Sequence, residues 1–392
     1  MLYMNPVTNP YAPGAGQQPP ELAGRDREIR MFEQVVARAA QDRPVRGVML
    51  VGLRGVGKTV LLNRFRTVAL EQGWTTAKLE VRSDVSLRQQ IAESMHVAMR
   101  RFAAESRAKG AVRQFLAVLK AFSLKVSPDG TWQLAIDVDA ARGSADSGDL
   151  AADLTLLFAE ADALVRRVGG GVGLFMDELQ DASQQDLTSL AVACHEMSQT
   201  RGRILVVGAG LPHLPAVLSD AKSYTERLFE YVPVDRLSRS NTDRAVTAPA
   251  AREGVAYTGG ALDLLAALTD GYPFFIQMFA KEAWDVAPKS PITEDDVRTS
   301  EGLARQELAS GFFGSRYERA TQAERSYLKA VAALGADRVS TAEVAGHLKK
   351  RPSSLSPVRD SLLRKGLIYS VERGTVAFTV PHFAEFLNSQ QP

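Results

Sequence analysis

The fold class of this 392-residue chain can be read from one segment, Val48-Met49-Leu50-Val51-Gly52-Leu53-Arg54-Gly55-Val56-Gly57-Lys58-Thr59. Its first four residues form a short apolar run, which is typical of a buried strand. The next eight satisfy the pattern G-x-x-x-x-G-K-[ST], and the residues from Lys58 to Glu71 predict a helix. A glycine-rich turn between a buried strand and a helix N-terminus predicts a loop that binds phosphate groups.

Each part of this loop has a physical role. Glycines let the backbone curl so that successive N–H groups point at phosphate oxygens, and the helix N-terminus adds partial positive charge. We expect Lys58 to reach the β- and γ-phosphates and the Thr59 hydroxyl to ligate Mg²⁺. Arg54 is expected to be a solvated or interface side chain rather than a catalytic one. The predicted nucleotide-binding segment comprises Gly52, Leu53, Arg54, Gly55, Val56, Gly57, Lys58, Thr59 and Val60.

A second motif, Leu174-Phe175-Met176-Asp177-Glu178, is an apolar strand that ends in two carboxylates. We expect Asp177 to hold Mg²⁺ through water and Glu178 to polarise an attacking water as a general base. The chain has no Asn/Thr-Lys-x-Asp segment of the kind that reads guanine. The predicted ligands are therefore ATP or ADP with Mg²⁺.

The organisation of the chain follows from its apolar periodicity. Further predicted strands, at residues 77–81, 172–176 and 204–207, alternate with helices, which predicts a parallel sheet covered on both faces. The predicted parts are a proline-rich extended arm with little structure of its own (1–20), an α/β domain (21–238) with an inserted hairpin (about 126–148), an all-α domain (239–311), and three helices followed by a hairpin (321–392).

Bulk composition narrows the class of protein. The chain is 45% hydrophobic and 23% charged, with a formal net charge of +2, as in ordinary globular proteins. Its single cysteine, Cys194, excludes a disulfide framework, and neither a signal peptide nor a membrane-spanning run is apparent. We therefore expect a cytoplasmic protein with no membrane partner.

With these motifs in hand, the chain resembles the AAA+/STAND-type ATPases and is most similar to their Orc1/Cdc6-like (archaeal-type) members. Upstream, Gly24-Arg25-Asp26-Arg27-Glu28 matches the G-R-x-x-E segment that packs beside the adenine in this family. Downstream, Gly271-Tyr272-Pro273 matches the lid element whose proline contacts the nucleotide. The resemblance implies an α/β P-loop NTPase of the ASCE/AAA+ type, with an all-α lid domain and a C-terminal winged helix-turn-helix. It also adds Gly24, Arg25 and Pro273 to the predicted nucleotide contacts.

The sequence departs from the family pattern at its sensor positions. After the strand at 204–207 the family has a polar residue, whereas this chain has Gly208-Ala209-Gly210, with His213 as a weak substitute. No sensor arginine follows Gly271, so we expect that hydrolysis can be slow. Arg227 precedes the last predicted strand, where the family donates an arginine finger to a neighbouring subunit. If Arg227 has this role, the protein forms a homo-oligomer. The alternative is that Arg227 forms an ion pair within its own chain.

The C-terminal residues are more basic than the net charge of the whole chain indicates. Residues 311–392 hold 12 Lys/Arg and 7 Asp/Glu, a net charge of +5, so the other 310 residues carry −3. Basic residues near a helix that enters the major groove of DNA make phosphate contacts. The sequence therefore predicts double-stranded DNA as a partner. The predicted contacts are Lys349, Lys350, Arg351, Ser353, Ser354, Arg359, Arg364 and Lys365.

Three functions remain open at this point. The leading one is an ATP-hydrolysing switch that couples nucleotide state to a DNA-binding winged helix, with Lys58, Glu178 and Arg227 as its catalytic residues. The alternative is a STAND-like signalling or scaffold ATPase with slow turnover, whose winged helix contacts protein. A small kinase is a third possibility, and the absence of a second substrate motif counts against it.

Overall fold

A computed structural model of the chain describes residues 4–14, 16–105, 109–124, 136, 138–335, 338–372, 374–380 and 382–390. The chain divides into two compact units. The sheet unit comprises residues 26–51 and 58–233, and the lid unit comprises residues 1–25, 52–57 and 234–392. In the described ranges, no helix combines the length and the apolar character that a membrane crossing requires.

The sheet unit is built on five parallel strands in the order β2-β3-β4-β1-β5. β3 and the middle of β1 are buried, as expected of apolar strands with helices on both faces. The strands are β1 (Gly47–Val51), β2 (Thr75–Glu80), β3 (Val172–Asp177), β4 (Ile204–Gly210) and β5 (Phe229–Pro233).

Eight helices of the described residues surround this sheet. They are α1 (Asp26–Ala40), α2 (Lys58–Glu71), α3 (Leu87–Glu105), α4 (Lys109–Ser123), α5 (Leu150–Val168), α6 (Gln184–Gln199), α7 (Leu214–Ala221) and α8 (Thr225–Leu228). Asp153 of α5 is fully buried and accepts a 2.7 Å hydrogen bond from Arg88 of α3. Hydrogen bonds from Ser147 and Gly148 also reach this carboxylate, so the buried charge is paired and solvated by protein.

The lid unit begins its regular structure with four helices: α9 (Arg239–Arg252), α10 (Gly259–Thr269), α11 (Pro273–Val286) and α12 (Glu294–Glu307). A π-helical turn at Leu308–Phe313 and the short α13 (Gly314–Glu318) follow. Phe275 of α11 packs against Phe313, and Phe274 stacks on Phe312 with ring centroids 4.7 Å apart. Aromatic packing therefore ties α11 to the π-helical turn.

The arm is more ordered than the sequence predicts. A 3₁₀ turn spans Pro6–Thr8, and the buried Tyr11 donates a 2.5 Å hydrogen bond to the Val246 carbonyl of α9. Trp284 of α11 donates through Nε1 to the Asn5 carbonyl. Apart from this turn, the described residues of the arm have no regular secondary structure, and burial of an aromatic ring and these hydrogen bonds hold the arm on the lid helices.

The C-terminal module, defined as residues 321–390, contains four helices and a three-stranded antiparallel sheet of order β6-β8-β7. Its elements are α14 (Gln322–Ala333), β6 (Val339–Ser340), α15 (Thr341–His347), α16 (Pro352–Arg364), β7 (Ile368–Glu372), β8 (Thr375–Phe378) and α17 (Phe383–Ser389). The sequence Ser340-Thr341-Ala342-Glu343 predicts a capping box at the start of α15. This prediction is confirmed, since Ser340 and Glu343 satisfy each other's backbone N–H groups.

Two local expectations need correction. The sequence after Pro352 predicts that Ser353 or Ser354 caps α16, but neither residue does. Arg351 is the N-cap and Pro352 occupies the first helical position, where a missing N–H costs nothing. The segment Gly208–Gly210 does not follow β4 but belongs to it, because a Cβ on Gly208 would lie 2.5 Å from the Met49 sulfur. The predicted hairpin strand at 131–138 lies largely outside the described residues, as does Arg373 in the predicted wing turn.

Candidate functional site

The phosphate loop, residues Gly52–Gly57, follows β1 and leads directly into α2. Gly55 and Gly57 have φ angles of +84° and +91°, which residues with a side chain rarely adopt. A Cβ on Gly52 would lie 2.1 Å from the Val234 carbonyl oxygen. The glycines are therefore required by backbone geometry, and the curl predicted for a phosphate-binding loop is present.

A buried arginine holds this loop in shape. Arg25 donates through Nη2 to the Val56 carbonyl at 3.0 Å and to the Asp235 carbonyl at 2.5 Å. Gly24, with a φ of +69°, packs so closely that a Cβ would lie 2.7 Å from the Asn241 side chain. Gly24 and Arg25 thus fix the conformation of the loop. The contact with adenine that the resemblance implies stays a prediction.

The lid helix α11 also begins at the loop. The Phe274 N–H donates to the Gly55 carbonyl at 3.3 Å, and the preceding Pro273 is the first residue of the helix. Gly271, at φ +71°, has no room for a side chain, because a Cβ would lie 2.4 Å from the Leu237 carbonyl oxygen. The structure therefore places Pro273 beside the loop, next to the residue that contacts Gly55.

Arg54, at the tip of the loop, contacts the C-terminal module. Its backbone N–H donates to the Thr379 carbonyl at 3.3 Å, and its Nε donates to the Gly366 carbonyl at 3.2 Å. Gly366 ends α16 at φ +61°, and Thr379 follows β8 directly. Of the two roles expected for Arg54, the interface role is the one the contacts show.

The acidic strand end lies in the sheet unit. Asp177, the last residue of β3, is 5% exposed, and its Oδ1 accepts from the Glu178 N–H at 3.0 Å. Glu178 adopts a left-handed conformation, with φ +49° and ψ 42°, which is rare for a residue with a side chain. Such backbone strain is retained where the surrounding structure fixes it.

Gln180 connects this strand end to its neighbour. Its Nε2 donates to Glu178 Oε2 at 2.7 Å, and its Oε1 accepts from the Leu211 N–H at 3.1 Å. Leu211 directly follows β4. The sequence interpretation missed Gln180. The signal that could have found it is a polar residue two positions after the second carboxylate.

Strand register relates the acidic end to the start of α2. Val51 pairs with Gly210, and Met176 pairs with Gly208, so β1 and β3 end at the same sheet edge on either side of β4. Neighbouring strands are ~4.8 Å apart, which brings Lys58 and Thr59 to the same edge as Asp177. One hydroxyl and one carboxylate are the oxygen donors that Mg²⁺ takes together with phosphates and water, so the residues present fit that ion.

Arg227 lies in α8, directly before β5. Its side chain is exposed, and no ion pair within 4.0 Å is formed to it by any residue that the structure describes. The alternative of an intrachain ion pair therefore has no support in these contacts. A role as arginine finger stays a prediction.

The predicted DNA contacts fall into two groups. Lys349, Lys350 and Arg351 are exposed in the turn between α15 and α16, and within the described ranges none of the three forms an ion pair. Ser353 and Ser354 are exposed in the first turn of α16, and the Ser354 hydroxyl donates to the Arg351 carbonyl. These five residues form one accessible surface at the start of α16.

The other basic residues of α16 behave differently. Arg359 pairs with Asp360, Arg364 is exposed, and Lys365 donates to the buried carboxylate of Glu324 at 2.7 Å. Burial alone would raise the pKa of Glu324, but hydrogen bonds from Lys365, Ser361 and the Thr321 N–H lower it to about 2. Lys365 thus neutralises a buried charge inside the module, which leaves less of its charge available for phosphate.

A five-stranded parallel sheet, a glycine loop that leads into a helix, and an acidic strand end define a P-loop nucleotide-binding protein. In agreement, residues 21–207 match the family model described as the AAA ATPase domain. This part of the chain, just under half of its length, is similar to that family. Residues 310–387 match a second family, described only as a domain of unknown function (DUF8462), so that match assigns no activity to the C-terminal module.

Solved structures share the fold at low sequence identity. The Walker-type ATPase PABY2304 of Pyrococcus abyssi is 16% identical with a TM-score of 0.63, over 95% of this chain and 97% of that one. The Thermotoga maritima RuvB Holliday junction branch migration motor is 16% identical over 96% of this chain and 100% of that one, with a TM-score of 0.47. Aeropyrum pernix Orc1 in complex with DNA is 16% identical over 95% and 94%, with a TM-score of 0.44. Scores this low do not establish a shared fold. No curated protein matches the chain.

Proposed function

We propose that this protein is an ATP-hydrolysing molecular switch whose nucleotide state is transmitted to a DNA-binding winged helix. The observation that carries the coupling is the pair of hydrogen bonds from Arg54 to the C-terminal module. A residue of the phosphate loop is bonded to the end of α16 and to the segment after β8, so a change in the loop reaches both. The proposal rests on these contacts and on the AAA ATPase domain match.

The chemistry follows from the acidic strand end and the start of α2. Lys58 holds the β- and γ-phosphates, and Thr59 with Asp177 hold Mg²⁺, which when bound neutralises charge on the phosphates. Glu178 takes a proton from water as the water oxygen forms its bond to the γ-phosphorus, and the bond to the ADP oxygen breaks. Gln180 orients Glu178 through its 2.7 Å hydrogen bond and acts as a positioning residue.

The positive charge of Arg54 suggests how ATP would act on the C-terminal module. Bound ATP places several negative charges beside the loop that carries the Arg54 guanidinium, and those charges compete with the Gly366 carbonyl for it. A charged acceptor forms a stronger hydrogen bond than a neutral carbonyl. ATP binding is therefore expected to loosen the bond from Arg54 to α16, while loss of the γ-phosphate restores it.

The C-terminal module fits a winged helix that binds duplex DNA. Helices α14, α15 and α16 followed by the β7–β8 hairpin have the order of that fold, and α16 presents the exposed Lys349–Arg351 turn at its start. We assign Lys349, Lys350 and Arg351 to phosphate contacts, with Ser353 and Ser354 facing the groove. Arg359, Arg364 and Lys365 stay secondary candidates.

The test is duplex DNA affinity as a function of salt, with ATP, with ADP and without nucleotide. The wild-type protein is expected to bind DNA with a steep salt dependence that differs between ATP and ADP. Replacing Lys349, Lys350 and Arg351 by alanine should reduce the slope of log K against log salt by about 0.9 for each phosphate that the variant no longer neutralises. DNA affinity that is absent at low salt, or a slope that the triple variant leaves unchanged, would contradict the assignment.

A matched control is Lys365→Ala. Because Lys365 pairs with buried Glu324, its loss should lower the melting temperature of the module and leave the salt slope nearly unchanged. An equal slope change in both variants would mean that the two groups of basic residues are not distinct.

A separate sizing experiment tests oligomer formation. If exposed Arg227 serves a neighbouring subunit, sizing with ATP should show an assembly, and Arg227→Ala should lower hydrolysis without lowering ATP affinity. A monomer that hydrolyses ATP normally would remove this role.

The scaffold alternative keeps one observation in its favour. The bonds from Arg54 hold the module against the phosphate loop, as a nucleotide clamp requires. It predicts co-purified ADP, negligible turnover with or without DNA, and no DNA affinity. DNA-stimulated hydrolysis would exclude it.

A further inference from the structure

Strand β2 forms one edge of the main sheet and has an open side. Among the residues that the structure describes, it pairs with β3 alone, through the register Thr75↔Val172 to Glu80↔Asp177. The Thr75 N–H bonds to Gly171 and the Val81 N–H to Asp177, so the odd-numbered residues of this stretch face β3. The backbone N–H and C=O groups of Thr76, Lys78 and Glu80 therefore point away from the sheet.

A groove of about 410 Å³ runs along this edge. Residues Gln90, Ser94, Val97 and Arg101, at helical spacing on α3, form one wall, and Arg66 of α2 contributes to the other. The volume lies in the range of ligand-binding clefts. Val97 is one of the few large apolar side chains of the described residues that is more than half exposed, at 54%.

Four cations line the groove: Arg66, Lys78, Arg82 and Arg101. Two carboxylates, Glu80 and Glu93, line it as well, but within the described ranges no ion pair joins either of them to any of the four. Arg66 donates to the Thr76 hydroxyl and Lys78 to the Asn63 side chain, so both are held in place by neutral partners. Burial and the charge of Arg101 lower the pKa of Arg66.

We propose that this groove binds an acidic peptide segment in extended conformation, which adds to β2 as a sixth strand. An open strand edge offers alternating donors and acceptors, and a peptide backbone satisfies both. A nucleic acid has no ladder of amide donors, so the outward carbonyls of Thr76, Lys78 and Glu80 would face phosphate oxygens and repel them. The four groove cations select negatively charged side chains on the added strand.

The probe is a fluorescein-labelled ten-residue peptide in which Glu alternates with Val, and binding is measured by fluorescence anisotropy on the full chain. Two comparison peptides share its length: one with Lys in place of Glu, and one N-methylated at alternate residues, which cannot form the ladder. The acidic peptide is expected to bind, and binding should weaken as salt rises. Both comparison peptides should bind at least about tenfold more weakly.

The variant is Arg66→Gln with Arg101→Glu, and its matched control is Arg100→Glu. Arg100 is exposed on the same helix but does not line the groove. The double variant should lose about tenfold or more in affinity, and the control should bind as the wild type does. Equal loss in both would mean non-specific attraction and would overturn the proposal.

Hydrogen–deuterium exchange gives an independent readout. The backbone amides of Thr76 and Lys78 should exchange more slowly when the acidic peptide is bound, as they enter a ladder. Binding without this protection, or equal binding of the N-methylated peptide, would overturn strand addition. Failure of the acidic peptide to bind would also overturn it, and the cations would then only protect the edge from aggregation. Loss of duplex DNA affinity in the double variant with unchanged peptide binding would assign the groove to nucleic acid instead.

Discussion

The phosphate loop and the acidic strand end, both predicted to act on the same nucleotide, are held in contrasting ways. The acidic end is fixed within the sheet unit, where Gln180 joins Glu178 to the first residue after β4. The loop is held from several directions within the lid unit, by Arg25, by α11 and by the C-terminal module. Under the proposed function, the acidic end would be the fixed group and the loop would transmit its state to the C-terminal module.

The difference assigns separate consequences to mutations in the two regions. Changes at the acidic end should lower the rate of hydrolysis and leave communication with the module intact. Changes at the tip of the loop should alter communication more than chemistry. The experiments below test whether mutations in the two regions have these separate effects.

The largest effect is expected for Glu178→Gln. The amide cannot take a proton from water, so kcat should fall about 10²- to 10⁴-fold, while ATP affinity is retained. Turnover is measured by phosphate release, and the exposed Glu253→Gln serves as control. Unchanged turnover would mean that another residue is the general base and that the acidic strand end is not the catalytic group.

Lys58→Ala should lower ATP affinity by at least about 100-fold, because the variant lacks the buried point charge that holds the phosphates. Nucleotide binding is measured by titration calorimetry, beside the exposed Lys289→Ala. Retained affinity would contradict the assignment of the loop itself.

Gln180→Leu tests the positioning role. It preserves side-chain volume and removes both hydrogen bonds, so kcat should fall roughly tenfold with little change in KM. The matched control is Gln185→Leu, which is exposed on α6. An equal fall in ATP affinity would show that Gln180 acts through the fold rather than through Glu178.

The smallest effect is expected for Arg54→Ala. Removal of one side-chain hydrogen bond should change the ratio of DNA affinities with ATP and ADP about two- to tenfold, while ATP hydrolysis without DNA stays near the wild-type value. A large fall in hydrolysis with an unchanged affinity ratio would mean that Arg54 acts in the chemistry rather than in communication with the module.

Contiguous motifs made much of the fold predictable. The strand–loop–helix at 48–71 and the apolar strand that ends at Asp177 carry their geometry in adjacent residues, and the sheet follows from their alternation with helices. The capping box of α15 and the glycine that ends α16, Gly366, can likewise be predicted from the sequence, because helix caps depend on residues close in sequence.

Features assembled from distant residues were not predictable. Arg66, Lys78 and Arg101 come from three elements, and their shared groove exists only after α3 packs on β2. The role of Arg25 as a brace for the loop depends on carbonyls at positions 56 and 235. The predicted strand at 204–207 stops short of Gly208, which pairs with Met49 of β1 and belongs to β4.

The docked arm has a practical consequence for work with this protein. A chain begun at Glu21 would lack the Tyr11 ring and the Asn5 carbonyl, which would leave Trp284 without that acceptor and uncover part of α9. Such a shortened chain is expected to be less soluble and to show altered tryptophan fluorescence. The emission of Trp284 is in turn an intrinsic probe of whether the first residues are in place.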